Sequence, residues 1–203
     1  MKIFNFPQGS PEWHELKRGN IGGTRFGAVI SGKKNQLVYE LLNERLSPWM
    51  EPVDLSFSED VQFGIDNEPI ARELYSKQTG IQFEEVGAII SDYSGIHHHS
   101  PDGITADRSI VLEVKSTRNG HKHLKRFFEG VDKEHISQCI NAFAVSDEVK
   151  EVHWISFCPE RFERPIVAFI LTREMFKVQV ESGRTNIKLL EADINKMESE
   201  FTF

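Results

Sequence analysis

Apolar residues recur along this chain with two periods, and the change of period divides it into three stretches. From Pro11 to Thr79 they return every three or four positions, as along one side of a helix. Ser10-Pro11-Glu12 sets a capping serine, a proline at the first helical position and an acid in the first turn, and predicts a short helix through Leu16. Gly19-Asn20-Ile21-Gly22-Gly23 interrupts it, and Thr24 is a capping residue for a second helix through Ile30. Gln36 to Leu46 follows, with Leu37, Leu41, Leu42 and Leu46 at helical spacing. Asp60 to Thr79 predicts a longer helix with Val61, Ile65, Ile70, Leu74 and Tyr75 as its apolar side and Gly80 as its stop. Pro69 predicts a kink or break near Gly64–Glu68.

The period then falls to two. Val86–Ile90, Ile96–Ser100 and Ile110–Lys115 are short and β-rich, separated by Asp92-Tyr93-Ser94-Gly95 and Pro101-Asp102-Gly103, and they predict strands of one meander. Lys133 to Val145 predicts a helix with Ile136, Ile140 and Phe143 on one side. Val152–Phe157 and Ile166–Leu171 predict strands, and Thr172 to about Glu200 a charged, amphipathic helix. Helices, a small sheet and more helices make a mixed α/β (α+β) fold rather than a regular βαβ array. A length of 203 residues fits one domain over 1–203, with N-terminal helices at 10–80, a catalytic sheet at 86–116, further helices and strands at 121–172 and a C-terminal helix at 172–200.

Composition changes this picture only in places. No run approaches the roughly 18 apolar residues that span a bilayer, and the first residues hold no apolar segment long enough for a signal peptide. A cytoplasmic, non-membrane protein is expected. Cys139 and Cys158 sit in no CxxC pair or zinc-like spacing and read as buried free thiols. The net charge of −7 argues against a nucleic-acid partner, but the charge is segregated. Val114 to Phe128 contains no acid and holds Lys115, Arg118, Lys122, Lys125 and Arg126, with His121 and His123 between them. That run fits either a solvated helix face or a surface that meets DNA.

Candidate chemistry lies in Ser100-Pro101-Asp102-Gly103 and Leu112-Glu113-Val114-Lys115. Isolated charges in an apolar run are costly unless paired or metal-bound. Asp102 and Glu113 belong to adjacent strands of a hairpin, so their side chains can converge, and Glu113 and Lys115 share a face because the side-chain period is two. Glu68, on the preceding helix, is a third carboxylate. Such a group suits Mg2+, which takes oxygen ligands and needs only one or two carboxylates. The plainer reading is a turn followed by an edge strand with two surface charges. His97-His98-His99 cannot all ligate one ion from a strand, and only His98 shares Asp102's side if the strand stays regular. Trp13, Trp49, Trp154 and the Phe127–Phe128 pair read as core, and His135 as a DNA contact or a helix cap.

These motifs, in order, resemble the PD-(D/E)xK nuclease superfamily, and within it the lambda-type phage exonucleases, also called alkaline exonucleases or YqaJ-like viral recombinases. The resemblance rests on Trp13-His14-Glu15-Leu16-Lys17-Arg18-Gly19, Ile21-Gly22-Gly23-Thr24, Gly64-Ile65-Asp66-Asn67-Glu68, the Ser-Pro-Asp-Gly and Leu-Glu-Val-Lys strands, and His135-Ile136-Ser137-Gln138. It implies a restriction-endonuclease-like core with a central mixed sheet flanked by helices. It implies metal ligation by Asp102, Glu113, the Val114 carbonyl and Glu68, with two Mg2+ ions for which Mn2+ can substitute. Lys115 would assist the attacking water and Gln138 support the site. Lys17, Thr24 and Ser100 match positions near a DNA 5′-phosphate; Lys17 stands where the family usually has Arg, with Arg18 next to it as a stand-in, and Arg118 is a further DNA-binding candidate.

The resemblance further implies a 5′-to-3′ exonuclease on linear double-stranded DNA, acting as a ring-shaped homotrimer and leaving 3′ single strands for a single-strand annealing protein. A site- or structure-specific endonuclease on the same fold is the alternative, although no separate base-reading module is evident. A DNA-binding protein with a decayed site is a third reading, which the presence of Glu68, Asp102, Glu113 and Lys115 together disfavours.

Overall fold

The strands of the middle stretch divide between two sheets, and the break between them falls at the candidate chemistry. In this computed structural model residues 1–48, 58–161 and 163–202 are described. β1 (Lys2–Phe4), β2 (Ala88–Ile90) and β3 (His98–His99) form a three-stranded antiparallel sheet. β4 (Gly103–Ile104), β5 (Ile110–Ser116), β6 (Glu151–Phe157) and β7 (Ile166–Thr172) form a four-stranded mixed sheet in that order. β4 and β5 pair antiparallel, β5 and β6 parallel, and β6 and β7 antiparallel. The predicted single meander is therefore corrected. Pro101 carries no N–H for a ladder, and the chain leaves the first sheet there and enters the second. β1 was not legible, because three residues show no period.

Helices follow the sequence closely. α1 (Pro11–Lys17) is capped by Ser10, whose hydroxyl accepts from the Trp13 N–H. α2 spans Gly23–Ile30, α3 Lys34–Leu46, α4 Glu59–Thr79, α5 Gly120–Glu129, α6 Lys133–Val145 and α7 Lys177–Phe201, with a short 3-10 turn at Arg173–Phe176 before α7. Gly22, not Thr24, is the cap residue of α2. Gly80 ends α4 in the left-handed conformation, with φ of 76°.

α4 corrects two expectations. It runs without a break through Pro69. Proline removes one backbone donor, which leaves the carbonyl four residues earlier without its helical partner. That carbonyl belongs to Ile65, which is 60% exposed, so water can take over. The apolar side is also different: Val61, Ile65 and Ile70 face solvent, while Ala71 and Tyr75 are buried.

Strand alternation sorts the core into two layers. Leu112 and Val114 of β5, with Ile155 and Phe157 of β6, pack on Ala71 and Tyr75 of α4. Val111 of β5, with Val152 and Trp154 of β6, faces the opposite layer, which holds Phe26 of α2, Leu41 of α3, Phe143 of α6 and Ile187 of α7. The sheet thus lies between α4 and the group of α2, α3, α6 and α7. Cys139 and Cys158 are buried and unpaired. No helix among the described residues is long and apolar enough to cross a membrane.

Gly183 lets α7 approach α2: a Cβ there would stand 2.5 Å from Phe26 Cζ, and that ring is fully buried. Overpacking of this kind costs about 1–3 kcal/mol. Gly183→Ala is therefore expected to lower stability in urea by about that amount despite alanine's better helix propensity; a variant as stable as its parent would refute this close packing.

Candidate active site

Asp102 occupies the crossing between the two sheets, and the pairing of β4 with β5 brings it to Glu113 and Lys115. Its N–H donates to the Leu112 carbonyl at 3.0 Å, and its Oδ2 accepts from the Val114 N–H at 2.6 Å. Gly103 follows because the backbone is crowded there: an added Cβ would lie 3.0 Å from Phe83 Cβ. Lys115 Nζ stands 3.1 Å from Glu113 Oε2 and 3.8 Å from Asp102 Oδ2. Glu113 is only 4% exposed, since it points with Val111 into the α6 layer, opposite Trp154 of β6. The Lys115 carbonyl accepts from Arg126 Nη1 at 3.2 Å. Arg126, read from sequence as part of a solvated or DNA-facing run, is in fact buried and bonded to Asp132 and Ser156.

Charge burial dominates the electrostatics. Burial pushes Asp102 up to about 6, and Glu113 adds to the rise against the pull of Lys115. Burial would raise Glu113 as well, but the charge of Lys115, with the His99 ring beside it, outweighs burial and holds the group low. Burial opposes the charge of Lys115, yet Glu113 and Asp102 together keep its ammonium strongly protonated. Glu68, on α4, is pushed up to about 8 by burial and by the negative charge of Asp102. Arg72, one turn further along α4, bonds Glu68 Oε1 at 3.0 Å, Glu85 Oε2 at 2.8 Å and the carbonyl of Asp102. Arg72 ties the helix to the crossing; no motif singled it out, although its spacing of four from Glu68 was a usable signal.

The other expected residues divide. Gln138 lies on α6 with its Cγ 3.5 Å from where a Cβ on Gly23 would be, at the start of α2. Among the described residues it makes no hydrogen bond to Asp102, Glu113 or Lys115. Ser100 Oγ accepts from Trp13 Nε1 at 3.1 Å, and Lys17 Nζ sits 3.6 Å over the Trp13 ring. Burial and the positive charge of Arg25 lower Lys17 to about 8. Trp13 is thus half-buried and packs between Ser100 and Lys17, a packing residue rather than one of the buried core. Thr24 is exposed on the first turn of α2.

Arg18 is engaged elsewhere than expected. It donates to the Glu44 carbonyl at 2.7 Å and to the Ser47 carbonyl, closing the end of α3. Arg25, which sequence reasoning missed, pairs with Glu44. Arg118 stacks 4.5 Å over Phe63 and lies 3.6 Å from Glu59, at the start of α4.

Phe127 and Phe128 are corrected from core to surface. Phe128 is 79% exposed, and with Leu124, Phe127, Arg161 and Arg164 it lines a groove of about 490 Å³. Trp154 is fully buried, as expected, and Trp49 lies outside the described residues. His98 faces a tight approach to Gly22, where a Cβ would be 2.8 Å from its Nε2. His99, not His98, reaches the carboxylates, with Nε2 3.1 Å from Glu113 Oε1. The turn at Ser100-Pro101 breaks the strand regularity on which the opposite expectation relied. His135 is no cap: its ring lies against Trp154, 5.7 Å between centroids.

The donor chemistry of the crossing fits a hard divalent cation. Asp102, Glu113 and Glu68 offer only oxygen. Asp102 and Glu113 set two negative charges against the one positive charge of Lys115, while Glu68, with its raised pKa, stays largely protonated at neutral pH beside Arg72. The three carboxylates do not close into a compact triad. Among the described residues the one His/Cys/Asp/Glu group with ligand atoms within 4.8 Å of one another is Asp132, Glu134 and His135. It lies at the start of α6, and Asp132 is already paired with Arg126 at 2.9 Å.

Residues 12–148 match the YqaJ-like viral recombinase domain. The fold is similar to that of an alkaline exonuclease, LHK-Exo from Laribacter hongkongensis, with a TM-score of 0.78 at 22% identity over 95% of this chain and 98% of that one. The same enzyme in complex with dAMP gives 0.77 at 22% identity over the same shares. A phage-related exonuclease from Haemophilus somnus gives 0.61 at 11% identity over 90% of this chain and 96% of that one. No curated protein sequence matches. The architecture is the PD-(D/E)xK fold.

Glu68 makes stability depend on pH. Its folded value, about 8, lies above the ordinary 4.5, so its contribution is present below about 4.5 and is lost as pH rises through about 8. Glu68→Gln carries no such term. Relative to its parent it is expected to gain stability steadily from about pH 5 to about pH 8, in urea titrations with chelator present. A difference that stays constant across this range would refute the assignment.

Proposed function

Because the chain belongs to the YqaJ-like viral recombinase family, we propose that it is a metal-dependent deoxyribonuclease that resects linear double-stranded DNA from its 5′ ends, leaving 3′ single strands for recombination. The observation that carries this reading is the convergence of Asp102, Glu113 and Lys115 at one partly buried crossing. Asp102, Glu113 and the Val114 carbonyl are the residues to hold Mg2+, with Glu68 completing the donor set; two ions are proposed, and Mn2+ as a substitute. When bound, the cation neutralises phosphate charge and lowers the pKa of a water.

The chain's own residues do the rest. Lys115, kept as an ammonium by its two carboxylates, donates hydrogen bonds that orient water and offset charge developing on the phosphate. Arg126, bonded to the Lys115 carbonyl, fixes the strand end that carries it. Gln138, packed on the start of α2, is proposed to support the site. Lys17, Ser100 and Thr24 are proposed to take the 5′-phosphate. The depressed Lys17 supports this, since a nearby anion would relieve the repulsion it shares with Arg25. A homotrimeric ring and an annealing protein as partner belong to the same proposal by family likeness.

The test uses Mg2+ and three substrates: a linear duplex with 5′-phosphates, the same duplex with 5′-hydroxyls, and a closed circle. Loss of the phosphorylated duplex with the circle intact is the expected result. Cutting of the circle would favour a site- or structure-specific endonuclease. Asp102→Ala is expected to abolish cleavage yet retain part of the DNA binding, which rests on phosphate contacts; full activity in that variant would sink the site assignment.

A second comparison isolates the end pocket. Lys17→Ala is expected to erase the preference for 5′-phosphate over 5′-hydroxyl ends. Arg18→Ala should leave that preference intact and lower only thermal stability. Equal loss of preference in both variants would contradict the assignment of Lys17.

A further inference from the structure

The three consecutive histidines have no part in the mechanism above, yet all three are buried. One fully buried residue of α6, Asn141, links them. Its Nδ2 donates to the carbonyl of His98 at 3.0 Å. A carbonyl only accepts, so this contact fixes which end of the amide is the NH2 group. Asn141 Oδ1 then faces His97 Nε2 at 2.7 Å and accepts its proton. The second Nδ2 hydrogen is directed at His99 Nδ1, 3.1 Å away. His99 Nδ1 must therefore be the unprotonated nitrogen, and the proton of the neutral ring lies on Nε2. That Nε2 is 3.1 Å from Glu113 Oε1, off the ideal hydrogen-bond line, and has no other aligned partner among the described residues. The other oxygen of Glu113, Oε2, faces Lys115.

We propose that Asn141 and His99 are positioning residues: Asn141 holds His99 as its Nε2–H tautomer, and His99 in turn holds Glu113 Oε1 so that Oε2 is presented to the metal pocket. This rests on the reading of Glu113 as a metal ligand. Carboxylate ligands are commonly held in place by a second ring of hydrogen bonds, and loss of such a partner costs about 10–100-fold in metal affinity or activity. The chain also explains why His-His-His is tolerated in the interior. The His97 ring, the His98 carbonyl and the His99 ring are each matched to a group of Asn141 that no aliphatic residue could supply, and a carboxylate there would lack the donor that reaches His98 and His99.

The test needs no cleavage. Long-range 1H–15N spectra of the metal-free protein are expected to show His99 as the Nε2–H tautomer, and Asn141→Ala to release it into a mixture. Mn2+ affinity, by calorimetry or EPR, is expected to fall about 10–100-fold in His99→Leu and Asn141→Ala. His99→Gln keeps a donor and should recover most of the loss, while DNA binding in chelator stays unchanged in all three. A parent protein with His99 as the Nδ1–H tautomer, or a folded His99→Leu that binds Mn2+ as tightly as its parent, would overturn the proposal. A protein that passes both tests yet cuts no DNA would overturn the nuclease reading and leave this one standing.

Discussion

Two carboxylates and one ammonium stand together where Glu113 is buried and Asp102 and Lys115 are half-buried, and much of the surrounding structure follows from making that tolerable. Buried charge is expensive unless it is paired and hydrogen-bonded. Lys115 can offset one negative charge, not two, and Glu68 nearby is pushed towards its neutral form rather than adding a third. The fold supplies neutral or cationic donors from every side. The Val114 N–H reaches Asp102, Arg72 of α4 reaches Glu68 and the Asp102 carbonyl, and Arg126 of α5 secures the backbone of Lys115. None of these removes the excess negative charge. A pocket left short of positive charge in this way suits a cation better than it suits an empty interior.

The parts legible in the sequence are those governed by local rules. α6 runs over Lys133–Val145, the span its apolar period predicts, and Gly80 ends α4 where a residue of positive φ is needed. The hairpin that joins Asp102 to Glu113 was readable from a Pro-Asp-Gly corner followed by alternating residues. The shared side of Glu113 and Lys115 followed from strand period alone.

What was not legible depends on contacts between distant residues. β1 exists because it pairs with β2, not because three residues prefer strand. Periodicity could not tell that the Ile96–Ser100 and Ile110–Lys115 segments belong to different sheets. The contacts of Arg18 were not readable because its partners, the carbonyls of Glu44 and Ser47, are brought to it only by the packing of α3. Phe127 and Phe128 were read as core by residue type, and helix α5 instead turns His123 and Arg126 inward. His99 was set aside because regular alternation would point it away, and the chain turns just where alternation stops.

The parallel pairing of β5 with β6 bears on how the protein comes to be made. Parallel neighbours cannot be joined by a tight turn, and here the connection runs through α5 and α6, from Ser116 to Glu151. On a growing chain Asp102, Glu113 and Lys115 come first, Arg126 and the α6 layer follow, and β6 comes last. A chain interrupted before Glu151 would carry the whole Asp-Glu-Lys motif on a β5 whose second edge is left unpaired, a row of open backbone groups where the finished sheet has its parallel neighbour.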